Sequence, residues 1–265
     1  MIHSIASQLS GGKLSDRRPY RTPHHSATMA ALVGGGLRAR PGEASLAHHG
    51  VLFLDEFPEF SPQALDALRQ PLETGECIIA RANHRVSYPA SIQLVAAMNP
   101  CRCGMAGEPG HTCARGPKCM SDYQGRISGP LMDRIDIRID VPAVSAADLI
   151  RPMPAERSAE VAKRVAAARE RQRERFEHAG FPRVLTNARC STALIEKIAE
   201  PDPGGLQLLR DAAEKLKFSA RGYHRILKVA RTLADLDGKD IVGRIHLAEA
   251  ISYRMAGERL ATAAA

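Results

Sequence analysis

The 265-residue sequence contains no tryptophan, and aromatic residues make up only 4% of it. Any core must therefore be built mainly from aliphatic side chains. No apolar run approaches the ~20 residues that a membrane-spanning helix needs, and Met1 to Ser4 lack the basic and apolar regions of a signal peptide. These absences predict a cytoplasmic protein with no membrane partner, whose thiols stay reduced unless they bind metal.

The sequence also lacks a phosphate-binding loop of the Walker A type. Gly11-Gly12-Lys13 resembles the end of such a loop, but Ser7 stands where a glycine is required. Leu14 stands where a serine or threonine would bind Mg²⁺. No other Gly-Lys-Ser/Thr sequence occurs, so this chain has no segment of its own that can cradle a nucleotide phosphate.

The clearest chemical signal is the segment from Gly50 to Phe57, where an unbroken apolar run ends in the adjacent acids Asp55 and Glu56. A short apolar run bounded by turn signals predicts a strand buried on both faces. Acids at its C-terminal tip lie where open α/β sheets bind ligands. Asp55 can hold Mg²⁺ on a nucleotide phosphate and Glu56 can polarise the attacking water, as in a Walker B segment. A buried strand followed by a capping acid pair is the alternative.

The remaining pattern predicts an α/β part over residues 1–142, a linker with a charged helix over 143–190, and a helical part over 191–265. Ser61-Pro62 begins a helix that ends before Gly75. In the charged helix, Val161 and Val165 form a narrow apolar edge. Further helices are expected at about 194–198, 206–216, 220–237 and 245–256.

Several strands are expected besides the one that ends at Leu54. Cys77–Arg81 and Arg85–Tyr88 predict a hairpin, and Ile92–Met98 a second buried strand that stops at Asn99-Pro100. The glycine-rich residues 34–48 are typical of a β-hairpin insertion with a Pro-Gly turn. The alternation of apolar and charged residues over Ile135–Val141 predicts a half-buried strand.

A stretch of nineteen residues that is rich in glycine and proline contains four cysteines, Cys101, Cys103, Cys113 and Cys119. Reduced thiols at this density more often bind metal than form disulfides. Four thiolates suit a structural, tetrahedral Zn²⁺, although the spacing differs from that of a standard zinc ribbon. His111 could replace one ligand, and thiols without metal are the alternative.

Read in order, the acids Asp55-Glu56, Asn99, residues 131–136 and Ser219-Ala220-Arg221 resemble the motifs of an AAA+ ATPase. More closely, the chain resembles the magnesium-chelatase-like group of the YifB/ComM type, over residues from about 17 to 257. The matching stretches are Pro23–Ser26, Gly50–Glu56, Leu68–Glu73, Asn99–Cys101 and Arg126–Leu131. The resemblance implies a partial P-loop NTPase sheet with β-hairpin insertions, followed by an α-helical lid. Family members carry an N-terminal domain and a Walker A loop before the matched region, so we expect a fragment that does not turn over ATP alone.

The resemblance implies roles for two polar residues besides the acids. Asn99 would be the sensor that orients water beside the γ-phosphate of ATP-Mg²⁺, and an Asn-Pro turn is the alternative. Arg134 resembles the arginine finger, which reaches into the site of an adjoining subunit and therefore requires a homo-oligomer, expected to be a hexameric ring. A surface salt bridge to Asp133 or Asp136 is the alternative for Arg134.

In the lid, the resemblance makes Arg221 the sensor 2 residue that faces a phosphate from the first turn of its helix. Arg225, one turn further along, competes for that role. For DNA, the expected contacts are Arg81, His84 and Arg85 at the hairpin tip, with Arg38 and Arg40 in the earlier insertion, because related motors grip DNA with such hairpins. Exposed arginines that serve only solubility are the alternative.

Together these features predict a nucleotide-dependent ring ATPase of the magnesium-chelatase-like type that acts on DNA as a helicase or in branch migration. The formal net charge of +8 favours such an anionic partner. One alternative is the motor subunit of a metal chelatase. The other is a non-catalytic, zinc-bearing DNA-binding or assembly module.

Overall fold

The computed structural model describes residues 2–6, 17–36, 38–81, 84–105, 113, 115–116, 118–142, 156–216 and 218–255. The chain folds as two compact units, of which the first ends at Ile135 and the second begins at Asp136. The division into residues 1–142, 143–190 and 191–265 stays a prediction. Within the described residues, no helix combines the length and the apolar character that crossing a membrane requires.

The N-terminal unit alternates short helices and strands. They are α1 (Ile2–Ile5), β1 (Tyr20–Arg21), α2 (Met29–Val33), α3 (Glu43–Leu46), β2 (Val51–Leu54), α4 (Pro62–Ala67), α5 (Arg69–Thr74), β3 (Glu76–Arg81), β4 (His84–Pro89), β5 (Gln93–Ala96), α6 (Lys118–Gln124) and α7 (Gly129–Met132). A 3₁₀ turn, Phe57–Glu59, follows shortly after β2.

Strands β1, β2 and β5 form a parallel sheet in that order, while β3 and β4 form a separate antiparallel hairpin. Val51 pairs with Gln93 and Leu54 with Ala96, so β2 and β5 run side by side and end at the same edge. The parallel sheet and the hairpin confirm the predicted α/β class with a hairpin insertion.

Strand β2 is buried mainly on one face. Leu52 and Leu54 are inaccessible to solvent and pack in a cluster with Phe60, Leu65 and Leu68. Val51 and Phe53 are only half-buried, and the ring of Phe53 stacks on Tyr20 of β1 at a centroid distance of 6.3 Å. The prediction of burial on both faces was wrong, because the buried cluster of the described residues contains the Leu52 and Leu54 side only.

Two other strand predictions also need correction. Strand β5 exists, but it is not buried: Val95 is 39% exposed, since the strand pairs with β2 alone among the described strands. Residues 135–142 form no strand, and Ile139 and Val141 are 69% and 86% exposed. Alternating polarity produces a half-buried strand only where a neighbouring strand pairs with it, and no described strand does so here.

The first insertion turns earlier than predicted. Gly35 pairs with Arg40 in an isolated bridge, so the reversal falls between these two residues. Gly34 and Gly36 adopt positive φ angles, which favour glycine. Pro41-Gly42, predicted to form the turn, instead leads into α3 with Gly42 as its N-cap.

The predicted helix after Ser61 is divided into α4 and α5 at Leu68. Ser61 caps α4 as predicted, because its hydroxyl accepts a hydrogen bond from the backbone N of Ala64 at 3.2 Å. Pro71 has no N–H to donate to Ala67, the residue four positions earlier, and this explains where the helix breaks.

The C-terminal unit is helical. Its helices are α8 (Ser158–His178), α9 (Thr192–Ile198), α10 (Pro203–Leu216), α11 (Ala220–Leu236) and α12 (Arg244–Met255), with a 3₁₀ turn at Asn187–Arg189. The four predicted helices after Ser191 are confirmed. Helix α10 begins earlier than predicted, because Asp202 accepts a hydrogen bond from the backbone N of Gly205 at 2.6 Å and Pro203 occupies the first helical position.

The long helix α8 packs through its C-terminal half. Phe176 is fully buried among the apolar side chains of the C-terminal unit, and Ala168 and Gln172 lie on the same helical face. Val161 and Val165 are 38% and 47% exposed. The predicted apolar edge was therefore placed on the wrong part of the helix. The residues of α8 that become buried are those that pack against α11, and these are not its most apolar residues.

A buried ionic network lies at the centre of the C-terminal unit. Asp235 is 1% exposed and pairs with Arg175 and with Arg231, which is completely buried. Asn187 donates a further hydrogen bond to Asp235 at 2.8 Å. Arg231 also donates to the backbone carbonyls of Lys239 and Asp240, and its burial lowers the pKa of its guanidinium. Such a network is costly to break, because one charge then stays buried without its partner.

Candidate functional site

The predicted acids and the predicted sensor lie at one edge of the parallel sheet. Backbone hydrogen bonds continue beyond the strands: the N of Ala97 donates to the carbonyl of Leu54, and the N of Phe57 donates to the carbonyl of Ala97, both at 2.9 Å. Asp55 and Glu56 follow β2 directly, and Asn99 follows β5. All three residues are exposed. The structure therefore brings these polar groups to adjacent strand ends, where open α/β sheets bind ligands.

Glu56 has a left-handed backbone conformation, with φ 50° and ψ 44°. This conformation costs a non-glycine residue about 1–2 kcal/mol, and residues held in it cluster at functional sites. Ala39 and His49 also have positive φ angles. The backbone N of Glu56 donates to Oδ1 of Asp55 at 2.9 Å, which fixes the turn between the two acids.

His25 is a neighbour of Glu56 that the sequence did not reveal. Its Nδ1 atom lies 2.7 Å from Oε2 of Glu56, and its ring contacts that of His24 at a centroid distance of 4.0 Å, with the two planes tilted by 35°. His24 in turn lies 2.9 Å from the hydroxyl of Ser26. Pro23–Ser26 follow soon after β1, and β1 lies beside β2 in the sheet. This position in the chain was the signal that could have placed His25 near Glu56.

Arg134 follows α7, whose N-cap Ser128 accepts a hydrogen bond from the backbone N of Leu131 at 3.3 Å. The guanidinium of Arg134 forms an ion pair with Glu73 and donates to the carbonyl of Pro130 at 2.6 Å. The Arg134 side chain is only 8% exposed. To reach a phosphate in another subunit, it must therefore first leave Glu73, and its role as an arginine finger stays a prediction.

In the C-terminal unit, Ser219 caps α11 and accepts a hydrogen bond from the backbone N of Gly222 at 3.0 Å. Arg221 lies exposed in the first turn. Arg225, the competing candidate, forms an ion pair with Asp136, and its side chain is only 19% exposed. The structure thus leaves Arg221 as the more accessible of the two cations, and its role as sensor 2 stays a prediction.

The four loop cysteines converge on one point. The Sγ atoms of Cys101, Cys103, Cys113 and Cys119 all lie within 4.8 Å of one another. All six cysteines of the chain lie in its described part, and none of them forms a disulfide. The hydrogen bond with Cys103 is the main reason why the pKa of Cys113 rises to about 12. His111, the predicted substitute ligand, lies outside the described residues.

The candidate DNA-binding residues lie on and beside the hairpin. Arg81 pairs with His84 across β3 and β4, Arg85 is exposed, and the connecting residues 82–83 lie outside the described part of the chain. Arg38 and Arg40, with Gly35 and Gly36, line an open depression of about 300 Å³. The insertion that carries them is held to the hairpin, since the hydroxyl of Tyr88 donates to the carbonyl of Ala39 at 2.9 Å. Contact with DNA stays a prediction for each of these arginines and for His84.

Two family models match almost the whole chain. Residues 1–149 match the model of magnesium chelatase, subunit ChlI, and residues 155–254 match the model of the ChlI C-terminal region. The first match alone covers more than half of the chain.

Curated relatives give the same result. The chain is 48% identical to the competence protein ComM of Haemophilus influenzae over 240 residues, which is 90% of this chain and 45% of ComM. It is 42% identical to YifB of Escherichia coli over 254 residues, 96% of this chain and 48% of YifB. It is 25% identical to the magnesium-chelatase 38 kDa subunit of Acidiphilium rubrum over 82% of this chain and 55% of that protein. The chain thus spans about half the length of the curated relatives that it matches.

Proposed function

The chain belongs to the magnesium chelatase subunit ChlI family, of the ComM and YifB type, and we propose that it forms the hydrolytic sheet edge and the lid of an AAA+ ATPase that acts on DNA. The observation that carries the ATPase proposal is the position of Asp55, Glu56 and Asn99 at the ends of adjacent parallel strands. Because the chain spans about half of its relatives, we assign the activity to a longer protein that contains it.

The residues at this edge can bind Mg²⁺, but they do not include the loop that would hold the phosphates of a triphosphate. Exposed carboxylate oxygens are the ligands that Mg²⁺ prefers, and Asp55 presents them at the strand end. Bound ATP would supply the γ-phosphoryl group, and Mg²⁺ would neutralise part of the charge on the phosphate oxygens. The phosphate cradle is not among this chain's residues, since its sequence has no Walker A loop, and we assign it to another part of the longer protein.

Each polar residue then has a defined task. Asp55 holds the metal, and Glu56 accepts a hydrogen bond from the attacking water. The amide of Asn99 can both donate and accept without carrying charge, which suits it to orient that water. Arg134, lent by an adjoining subunit of a hexameric ring, stabilises the charge of the transition state.

DNA is proposed as the partner because of charge. The chain carries a formal net charge of +8, and exposed Arg38, Arg40 and Arg85 lie on or beside the hairpin. Phosphate contacts by arginine give sequence-independent affinity, which a motor that moves along DNA requires. Two alternatives are the motor of a metal chelatase, supported by the Acidiphilium relative, and a passive DNA-binding module.

The proposal is tested by ATP hydrolysis of the longer protein with and without DNA. We expect DNA to stimulate hydrolysis, and Glu56→Gln to abolish turnover while nucleotide binding remains. Turnover that DNA does not change would favour the chelatase motor. Salt-dependent DNA binding by the 265-residue chain, combined with no hydrolysis by the longer protein, would favour the passive module.

A further inference from the structure

The four loop cysteines have the geometry of a metal site that the ATPase proposal does not use. The Sγ atoms of Cys101 and Cys103 lie 3.1 Å apart, as do those of Cys103 and Cys113, and all four lie within 4.8 Å of one another. A tetrahedral Zn²⁺ with bonds of about 2.3 Å to four sulfurs places these sulfurs about 3.8 Å apart. The observed range includes this separation, so small side-chain movements suffice to seat one ion.

Disulfide bonding does not explain the cluster. A disulfide joins two sulfurs at about 2.05 Å, whereas the closest sulfurs that the structure gives here are 3.1 Å apart. Cys101 is completely buried and Cys119 is 9% exposed, while Cys103 and Cys113 are half-buried. A partly buried set of four converging sulfurs is the donor arrangement of a structural Zn²⁺ site.

The surrounding charge also suits such a site. Four thiolates around Zn²⁺ carry a net charge of −2, which nearby cations stabilise. A cavity of about 210 Å³ beside Cys119 is lined by the basic residues Arg102, Arg115, Lys118 and Arg126, against the single acid Asp122. Arg102 and Arg126 also contact Glu59, so they only partly compensate the charge of the metal site.

We propose that Cys101, Cys103, Cys113 and Cys119 bind one structural Zn²⁺, which fastens the loop after β5 to the start of α6. Cys101 lies two residues after Asn99, and Cys119 lies in the first turn of α6. At the other end of α6, the Nε2 atom of Gln124 donates to the carbonyl of Pro100 at 3.0 Å. Two attachments would then hold the segment that follows Asn99, and the positioning of Asn99 for catalysis is the one consequence that rests on the proposed function.

The primary test is the metal content of the purified 265-residue chain, free of any histidine tag. We expect about one zinc per chain by elemental analysis. Replacement with Co²⁺ should give the near-ultraviolet charge-transfer band and the intense visible bands of tetrahedral cobalt bound by thiolates. Absence of zinc after reconstitution, or iron in its place, would overturn the proposal, whatever the ATPase measurements show.

Substitutions identify the ligands. Cys113→Ser should lower the zinc content at least severalfold and weaken the cobalt charge-transfer band. Cys190→Ser is the matched control, because Cys190 is buried in the C-terminal unit and should leave one zinc per chain. If Cys113→Ser does not fold, the cobalt spectrum of the unmodified chain still decides the question.

Hydrogen exchange tests whether zinc fastens the loop to α6. Zinc removal should speed exchange in residues 118–124 and leave the exchange of α11 unchanged. Equal exchange rates with and without zinc would refute that role.

Discussion

The Nδ1 atom of His25 lies 2.7 Å from the Oε2 atom of Glu56, so the segment after β1 contacts the acid after β2. This contact and the left-handed backbone of Glu56 set the direction of the carboxylate that we propose to act on water. Both side chains are partly exposed, and an exposed pair of this kind contributes about 0–1 kcal/mol to stability. Its importance therefore lies in orientation rather than in the free energy of folding.

The first prediction concerns the backbone strain at Glu56. Glu56→Ala and Glu56→Gly both remove the contact with His25, but only glycine tolerates φ 50° without steric cost. We expect the glycine variant to be more stable than the alanine variant by about 1 kcal/mol, although both lack hydrolytic activity. Urea denaturation of the two variants measures the difference. Equal stability would show that relief of the strain does not exceed the extra conformational entropy that glycine loses on folding.

Gly50 is predicted to be irreplaceable for steric reasons. A Cβ atom added to it would lie 1.9 Å from the carbonyl oxygen of Pro19, the atom that accepts the first hydrogen bond from β2, donated by Val51. We expect Gly50→Ala to cost at least about 3 kcal/mol or to prevent folding of the N-terminal unit. Gly129→Ala is the control, because its added Cβ would have no atom within 4 Å apart from its chain neighbours and the backbone of its own helix. Thermal melting should shift for the first variant only.

Asp235→Ala should strongly destabilise the C-terminal unit. It removes the carboxylate that pairs with Arg175 and the fully buried Arg231, and loss of a buried charge partner costs about 3–5 kcal/mol. Asp237→Ala is the control: its carboxylate is 61% exposed, so its contact with the largely buried ring of His246 should contribute only about 1 kcal/mol. Chemical denaturation followed by circular dichroism compares the two, and similar losses would contradict the buried network.

The role of Arg134 in an adjoining subunit predicts complementation. Arg134→Ala and Glu56→Gln in the longer protein should each lower ATP turnover by about 10³-fold or more. Mixed rings should regain activity, because some interfaces then combine an intact Glu56 from one subunit with an intact Arg134 from the next. Turnover is measured as a function of mixing ratio. Mixed oligomers that stay inactive would place the function of Arg134 within its own subunit, where it now contacts Glu73.

The DNA proposal predicts a specific effect of Arg85. Arg85→Ala should weaken DNA binding severalfold and reduce the slope of log affinity against log salt by about 1, as expected when one phosphate contact is lost. Arg173→Ala is the control, since Arg173 is an exposed arginine of α8, 58% accessible and remote in sequence from the hairpin. Fluorescence anisotropy at several salt concentrations provides the measurement. Equal losses in both variants would indicate a general charge effect.

Much of the fold follows from local sequence signals. Ser61, Ser191 and Ser219 each cap a helix through the hydroxyl. Both ends of each hairpin strand, β3 and β4, lie within one residue of the predicted limits. These features depend on neighbours along the chain, so the sequence alone suffices. The exceptions have equally local causes, such as Pro71 within the predicted helix and Asp202 as the cap of α10.

Burial was less predictable than secondary structure. Residues 135–141 alternate in polarity yet form no strand, and β5 is apolar in sequence but partly exposed. Whether an apolar residue becomes buried depends on which other elements pack against it. The periodicity of apolar residues in the sequence shows that a segment needs a packing partner, but it does not show whether another element packs there.

By itself, the sequence determined which chemical groups are present and where they lie along the chain: acids at the end of one apolar strand, an amide at the end of another, and four cysteines in a short loop. The tertiary structure alone decided which of these groups meet. It placed β2 beside β5, brought His25 to Glu56, and gathered the four sulfurs within 4.8 Å. The reason is physical: a side chain's type is fixed by its residue, whereas its neighbours depend on strand register and packing between elements distant in sequence.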